Sequence, residues 1–347
     1  MNIAILAPLW KKIPPEKYGG SELVVANLVK GLHEAGQSVT TFASADSKVS
    51  GTLVPVIARP MYELVGGFDW KGIQQYEFLS FFELAKRVKD FNIIHNHMGF
   101  HPNAFAPLMQ IPMVTTLHSS MPPDFPALAE AFREQPFVSV SNAQRSLAPA
   151  LNYVATVYHG IDTNSFSPRT EGGGNGFVFL GTLSHNKGID IAVRTALSLG
   201  VQLTIAGEIR EEDKSFLDSE VFPHVDGKMI KFVGEVGHEE KVRLLKDADA
   251  LLFPSRWNEA FGLVIVEALA CGTPIVALDS GAVTEVLRDG VTGFIAKGEE
   301  AFVKAASNFN QLSRVIARKE AEERFDLSEM ARKYIEVYQS LISECRV

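Results

Sequence analysis

Residues 250–277, ALLFPSRWNEAFGLVIVEALACGTPIVA, decide how the rest of the chain is read. The stretch begins with an apolar run, Leu251-Leu252-Phe253, stopped by Pro254-Ser255, the pattern of a buried strand entering a turn. It ends in a second such run, Ile275-Val276-Ala277, behind Gly272-Thr273-Pro274. Between them, residues 263–271 read as a helix apolar on nearly every side, hence packed inside a domain. Glu267 breaks that pattern. A carboxylate there is costly to bury unless a cation pairs with it or it faces a polar cavity. Glu259 stands in the loop leading to the helix, and Phe261-Gly262 makes the bend. A helix N-terminus with free N–H groups at Gly262, Leu263 and Val264 attracts phosphate. The two flanking carboxylates only accept hydrogen bonds and so suit hydroxyl groups. The combination predicts a site for a sugar carried on a nucleoside diphosphate.

Outward from this stretch, apolar runs alternate with helical pattern. Strands are expected over 2–7, 39–42, 54–57, 93–95, 113–117, 137–140 and 155–158, then over 177–180, 203–207 and 230–234. Helices are expected from Ser21, as N-cap, to Gly36, and over 76–90, 189–199, 299–318 and 328–345, the last with Ser328 as N-cap. The 76–90 helix is expected to face the core. Continuous apolar strands alternating with helices predict an α/β fold of doubly wound parallel sheets, with ligands beyond the carboxyl ends of the strands. The polar residues at those ends are His95-Asn96-His97, His118-Ser119-Ser120, Ser141-Asn142 with Arg145, and His159-Gly160-Ile161-Asp162. The first strand is followed by a lysine-bearing loop (Lys11, Lys12, Lys17) ending in Tyr18-Gly19-Gly20, where backbone can approach a ligand closely. No G-x-G-x-x-G is present. Residues 164–176, with Gly172, Gly173, Gly174 and Gly176, read as a flexible linker.

At 347 residues the chain exceeds one ordinary core, so two domains are expected. Net charge −8 and a pI near 5.7 argue against general nucleic-acid binding. Two cysteines, Cys271 and Cys345, make neither a disulfide framework nor a zinc site. The strand-end histidines lack closely spaced partners and an H-E-x-x-H, so no metal is expected. Residues 1–10 lack a basic n-region and a long apolar core and read as a strand. No apolar run approaches the roughly 20 residues that span a bilayer, so a cytoplasmic protein without stable membrane insertion is expected.

The run Glu259-Ala260-Phe261-Gly262-Leu263-Val264-Ile265-Val266-Glu267 resembles the paired-glutamate motif of family-4 retaining glycosyltransferases. Phe253-Pro254-Ser255, Ala268-Leu269-Ala270-Cys271-Gly272-Thr273-Pro274, Ser280-Gly281 with Glu285, and Asp289-Gly290-Val291-Thr292-Gly293-Phe294 are similar to the same family. So are Thr116-Leu117-His118, Ser139-Val140-Ser141 and His159-Gly160-Ile161-Asp162. The resemblance covers nearly the whole chain and implies the GT-B architecture, two Rossmann-like doubly wound domains facing a central cleft. Their implied extents are 1–168, on the acceptor side, and 169–325, on the nucleotide-sugar donor side. A C-terminal helix within 326–347 would pack back on the first domain.

The implied reaction moves a sugar, with retention of configuration, from a UDP- or GDP-linked donor to the hydroxyl of a sugar, lipid or small-molecule acceptor. Neither metal nor cofactor takes part. By the resemblance, Glu267 holds the ribose diol, Glu259 a donor-sugar hydroxyl and Lys187 the phosphates. His118 meets the sugar face, with His97 a second position in the same cleft. Gly19 and Gly20 lie beside the diphosphate, and the N-terminus formed by Phe261, Gly262, Leu263 and Val264 replaces a metal ion. The family usually carries arginine where this chain has Thr182, which can donate one hydrogen bond. The missing charge would fall on Lys187 and the helix N-terminus, helped by Arg256 or a lysine of the 11–17 loop. A nucleotide-sugar epimerase of the same fold and a non-catalytic nucleotide-sugar binding protein are the alternatives.

Overall fold

The computed structural model describes residues 1–17, 19–65, 70–119 and 126–345; Tyr18 and Ser120, quoted above, lie outside them. The chain forms two units, Met1–Gly160 with Leu327–Val347, and Ile161–Asp326.

In the first unit the described strands are β1 (Asn2–Leu6), β2 (Ser38–Ser44), β3 (Thr52–Ile57), β4 (Ile93–Asn96), β5 (Met113–Thr116), β6 (Pro136–Ser139) and β7 (Asn152–Thr156). They pair in parallel in the order β3-β2-β1-β4-β5-β6-β7. Crossover helices cover both faces of such a sheet, so its central strands must be apolar throughout; Ile3, Ala4, Ile5 and Leu6 are all fully buried. At the edge that demand lapses. β7 begins at Asn152, earlier than its apolar pattern suggests, because Val154 turns outward and stays exposed. In the second unit, β8 (Phe177–Leu180), β9 (Leu203–Ala206), β10 (Ile230–Phe232), β11 (Ala250–Phe253), β12 (Ile275–Leu278) and β13 (Phe294–Ala296) pair in the order β10-β9-β8-β11-β12-β13. Both orders reverse after their first strand, which places a switch point between β1 and β4 and another between β8 and β11.

Several helix boundaries differ from their expected places. The helix Gly20–Glu34 is capped by Gly19, leaving Ser21 inside its first turn. The helix Trp70–Ala85 begins earlier than read; it buries Phe81 and Leu84 but leaves Tyr76, Phe78, Leu79 and Phe82 exposed. The single helix expected over 299–318 is two, Glu299–Ala306 and Arg314–Arg324, the second started by Ser313, whose Oγ accepts the Ile316 N–H at 3.3 Å. The final helix is Leu327–Glu344, so Ser328 lies within it rather than capping it. It packs against Gly20–Glu34 and sinks Tyr334 and Tyr338 completely into the first unit.

The flexible linker is also corrected. Residues 161–176 are tied down within the second unit. Arg318 Nη1 donates to the carbonyls of Thr163 at 3.0 Å, Phe166 at 2.7 Å and Ala270 at 2.8 Å. The Asp249 carboxylate takes the N–H groups of Gly174 at 2.6 Å and Gly176 at 3.1 Å. Gly173 serves close approach to Asp249, a Cβ there lying 2.3 Å from its Oδ1, and Gly176 (φ 73°) serves close approach to the Gln202 carbonyl oxygen, likewise 2.3 Å away.

Candidate active site

The second unit's switch point brings two loops together. One leaves β8 through Gly181-Thr182 and ends at Lys187-Gly188, where the helix Ile189–Leu199 starts. The other leaves β11 through Pro254-Ser255-Arg256 and runs to Glu259 and the helix Leu263–Ala270. The loops touch. Gly188 has φ 72°, and a Cβ there would lie 2.0 Å from the Pro254 carbonyl oxygen, so only glycine passes. The Asn186 carbonyl accepts the N–H groups of Arg256 at 2.8 Å and Trp257 at 3.2 Å.

Across this contact Lys187 Nζ meets Glu259 Oε1 at 2.5 Å, and Ser255 Oγ donates to the same oxygen at 2.6 Å. The Glu259 backbone is fixed from a third loop. The Ala282 N–H donates to the Glu259 carbonyl at 2.9 Å, and a Cβ on Gly281 (φ 53°) would lie 2.2 Å from that oxygen. Beside Glu259, the helix Leu263–Ala270 starts at Gly262 with no side-chain cap. Its first N–H groups are the open positive end that the sequence predicts. Among the described residues, the buried hydroxyl oxygens of Thr182 and Ser280 have no hydrogen-bond partner.

The resemblance gave Lys187 and Glu259 separate ligands, and in this structure the two also bind one another. One expectation changes. Arg256 is committed elsewhere: its guanidinium donates to both carboxylate oxygens of Asp190 at 2.8 and 2.7 Å and to the His185 carbonyl at 2.7 Å. Burial would raise the Asp190 pKa, but Arg256 and Arg194 outweigh it and hold it below the usual carboxylate value. Arg256 is thus a strut between the loops, and serving a diphosphate would mean abandoning a buried carboxylate.

Glu267 is 3% exposed, and Lys241, from the helix His238–Asp247, is bonded to its Oε1. Of the two ways to bury this carboxylate, pairing with a cation is realised. Glu267 is therefore not a charge that can be deleted without leaving a partner behind.

In the first unit Gly19 caps the helix Gly20–Glu34. Glu22, one turn in, accepts the Lys11 N–H at 3.2 Å, and burial pushes its pKa up. His118 follows β5, with the carbonyls on either side of it, Leu117 and Ser119, both accepting from Gln144 Nε2 at 2.8 Å. His97, beyond β4, places Nδ1 2.8 Å from His118 Nε2.

Sequence reasoning passed over Asp190, Lys241 and Gln144. Asp190 left a signal, a carboxylate in the first turn of an otherwise apolar helix segment. Lys241 and Gln144 left none, because each works through a partner more than twenty residues away. Among the described residues, no cluster of three or more histidine, cysteine or acidic side chains could hold a metal ion, and no helix is long and apolar enough to cross a membrane.

Comparison with known proteins places this geometry. The model of the family Glycosyl transferases group 1 matches residues 160–333, and that of Glycosyltransferase Family 4 matches residues 18–165. A glycogen synthase of Mycobacterium tuberculosis is 27% identical over 83% of this chain and 81% of its own. A phosphatidyl-myo-inositol mannosyltransferase of Mycobacterium leprae is 26% identical over 98% of this chain and 97% of its own. Among solved structures, AviGT4, a glycosyltransferase involved in avilamycin A biosynthesis, shares the fold with a TM-score of 0.75 at 23% identity, over 99% of this chain and 98% of its own. HepE of Anabaena, solved in complex with UDP and glucose, gives a TM-score of 0.73 at 20% identity, over 98% of this chain and all (100%) of its own.

Proposed function

We propose, from the premise that this chain belongs to the Glycosyl transferases group 1 family and is a GT-B glycosyltransferase, that it moves a sugar from a nucleoside diphosphate to an acceptor hydroxyl with retention of configuration and without a metal ion. The observation that carries this reading is the Lys187–Glu259 pair at the second switch point, beside the open N-terminus of Leu263–Ala270. An ammonium has three donors; Glu259 takes one and leaves two for phosphate oxygens. Glu259 Oε1 is filled by Lys187 and Ser255, which leaves Oε2 to accept from a sugar hydroxyl. Glu267, held through Oε1, has its other oxygen for the ribose diol. The unpartnered hydroxyls of Thr182 and Ser280 are satisfied when the donor binds. Phosphate charge growing as the glycosidic bond breaks meets Lys187 and the helix N-terminus, a preorganised positive site in place of a metal. By the family resemblance, His118 is the residue proposed to meet the donor sugar, and Gly19 and Gly20 those proposed to meet the diphosphate. The donor is taken, as the family resemblance implies, to be UDP- or GDP-linked, and the acceptor to be a sugar, lipid or small molecule.

The test is an assay of UDP-, GDP-, ADP- and dTDP-sugars against glucan, monosaccharide and inositol-lipid acceptors, with EDTA present. The expected result is nucleoside diphosphate release that requires an acceptor, and a product whose anomeric configuration by NMR matches the donor. Release without acceptor, an inverted product, or activity lost to EDTA would each overturn the corresponding part of the proposal.

A further inference from the structure

Four imidazoles form a column at the carboxyl ends of the first unit's strands. Ring centroids are 3.9 Å apart for His95 and His97, 5.1 Å for His97 and His118, and 5.4 Å for His118 and His159. One end is anchored by the final helix. His95 Nδ1 lies 2.6 Å from the Tyr338 hydroxyl and Nε2 2.8 Å from Thr116 Oγ1, itself 2.8 Å from the Tyr334 hydroxyl. His97 lies against this fixed ring, tilted 40° to it, and meets His118 through Nδ1 and Nε2 at 2.8 Å. Among the described residues, the remaining nitrogens of that pair, His97 Nε2 and His118 Nδ1, have no hydrogen-bond partner.

We propose that His97 is a positioning residue for sugar transfer: its Nδ1–H donates to His118 Nε2, which locks the His118 ring and makes His118 Nδ1 an N–H donor. The proposal rests on the reading that His118 meets the donor sugar. Two nitrogens 2.8 Å apart share one proton between them. A neutral imidazole carries a single N–H, so one of the two remaining nitrogens is a donor and the other a lone pair. Neutrality is favoured because burial pushes His95, His97 and His159 well below their usual value and His118 down to about 4. His97 Nε2 and His118 Nδ1 are both buried atoms, but His97 as a whole is 3% exposed and His118 is half-buried. The proposal places the N–H that awaits a ligand on His118 Nδ1, in the ring nearer the surface, and the lone pair on His97 Nε2. His118 is on this account a hydrogen-bond donor to a sugar oxygen and not a general base. Gln144 holds the backbone on both sides of it, so backbone and ring are fixed independently.

The experiment pairs 15N NMR of the histidine side chains with transfer kinetics for the parent and three variants. The parent should show His118 protonated at Nδ1. His97→Leu should lose that tautomer preference and lower kcat about 10–100-fold, the scale of a misplaced group, with a smaller change in donor KM. His97→Asn, whose side-chain amide takes the place of Nδ1, should keep the tautomer and recover most of kcat. His118→Ala judges the underlying reading: unchanged transfer there sinks the role of His118 and the claim on transfer with it. If His118→Ala is impaired while folded His97→Leu keeps both tautomer and kcat, or if the parent carries the proton on Nε2, the positioning role of His97 is overturned.

Discussion

Thr182, where the family resemblance leads one to expect arginine, is 4% exposed, and among the described residues its hydroxyl has no partner. An unmet buried hydroxyl costs about 1–3 kcal/mol. Thr182→Val should therefore stabilise the protein by about 1 kcal/mol in urea denaturation while weakening nucleoside diphosphate binding several-fold in calorimetry. Lower stability with unchanged affinity would mean that the hydroxyl is satisfied within the fold. Glu267 gives the opposite case. Glu267→Ala leaves the Lys241 ammonium without its carboxylate, so a loss of about 3 kcal/mol is expected, and Glu267→Gln should cost less. If both substitutions leave the denaturation midpoint where it was, the pair contributes nothing to the fold.

The turn at Ser280-Gly281-Ala282 belongs to neither of the two switch-point loops, yet it holds the Glu259 backbone. Gly281→Ala forces a side chain onto a φ of 53° and against the Glu259 carbonyl. The expected outcome is impaired nucleoside diphosphate binding and transfer, with the thermal midpoint lowered by a few degrees, as for a loss of about 1–2 kcal/mol. Normal donor affinity in Gly281→Ala would show that Glu259 is placed without this turn. At this scale the sequence was readable where the apolar pattern is unbroken. The buried strand Phe177–Leu180 and the amphipathic helix Ile189–Leu199, which leaves Leu197 exposed, stand where their patterns put them. Reading failed where a distant partner decides the outcome. The Gly172–Gly176 run looks mobile until Asp249 is seen to hold it, and Glu267 reads as a cavity-facing carboxylate with no cation to orphan until Lys241 is placed beside it. Ser313 was a legible helix start, overlooked because apolar residues continue across it.

The whole molecule divides its titration unevenly. His95, His97, His118 and His159 all belong to the first unit. Each has its pKa lowered by burial, so the unfolded chain binds protons that the folded unit refuses, and stability falls as pH drops through the ordinary histidine value. For His118 alone, lowered from 6.5 to about 4, the loss at pH 5 is about 2 kcal/mol. Glu22, raised by burial, acts in the opposite sense but is one group against four. In the second unit Asp190 and Glu299 have lowered values, so their support persists until the pH falls below the usual carboxylate range. Between pH 7 and pH 5 the first unit should therefore lose thermal stability faster than the second, with hydrogen exchange locating the earlier transition in residues 1–160. Equal loss in both units would mean that the imidazole column charges without resistance.

The reading stands or falls on Lys187 and the N-terminus of Leu263–Ala270 forming the phosphate site of a metal-independent transferase, with Glu259 beside them on the sugar. Calorimetric titration of UDP and GDP, with EDTA present, into the parent and Lys187→Ala tests it most directly. A charge-assisted contact of about 1.5–3 kcal/mol predicts that one nucleotide binds the parent and that Lys187→Ala binds it about 10–100-fold more weakly. Equal affinity in the two proteins, or binding that EDTA abolishes, would contradict it.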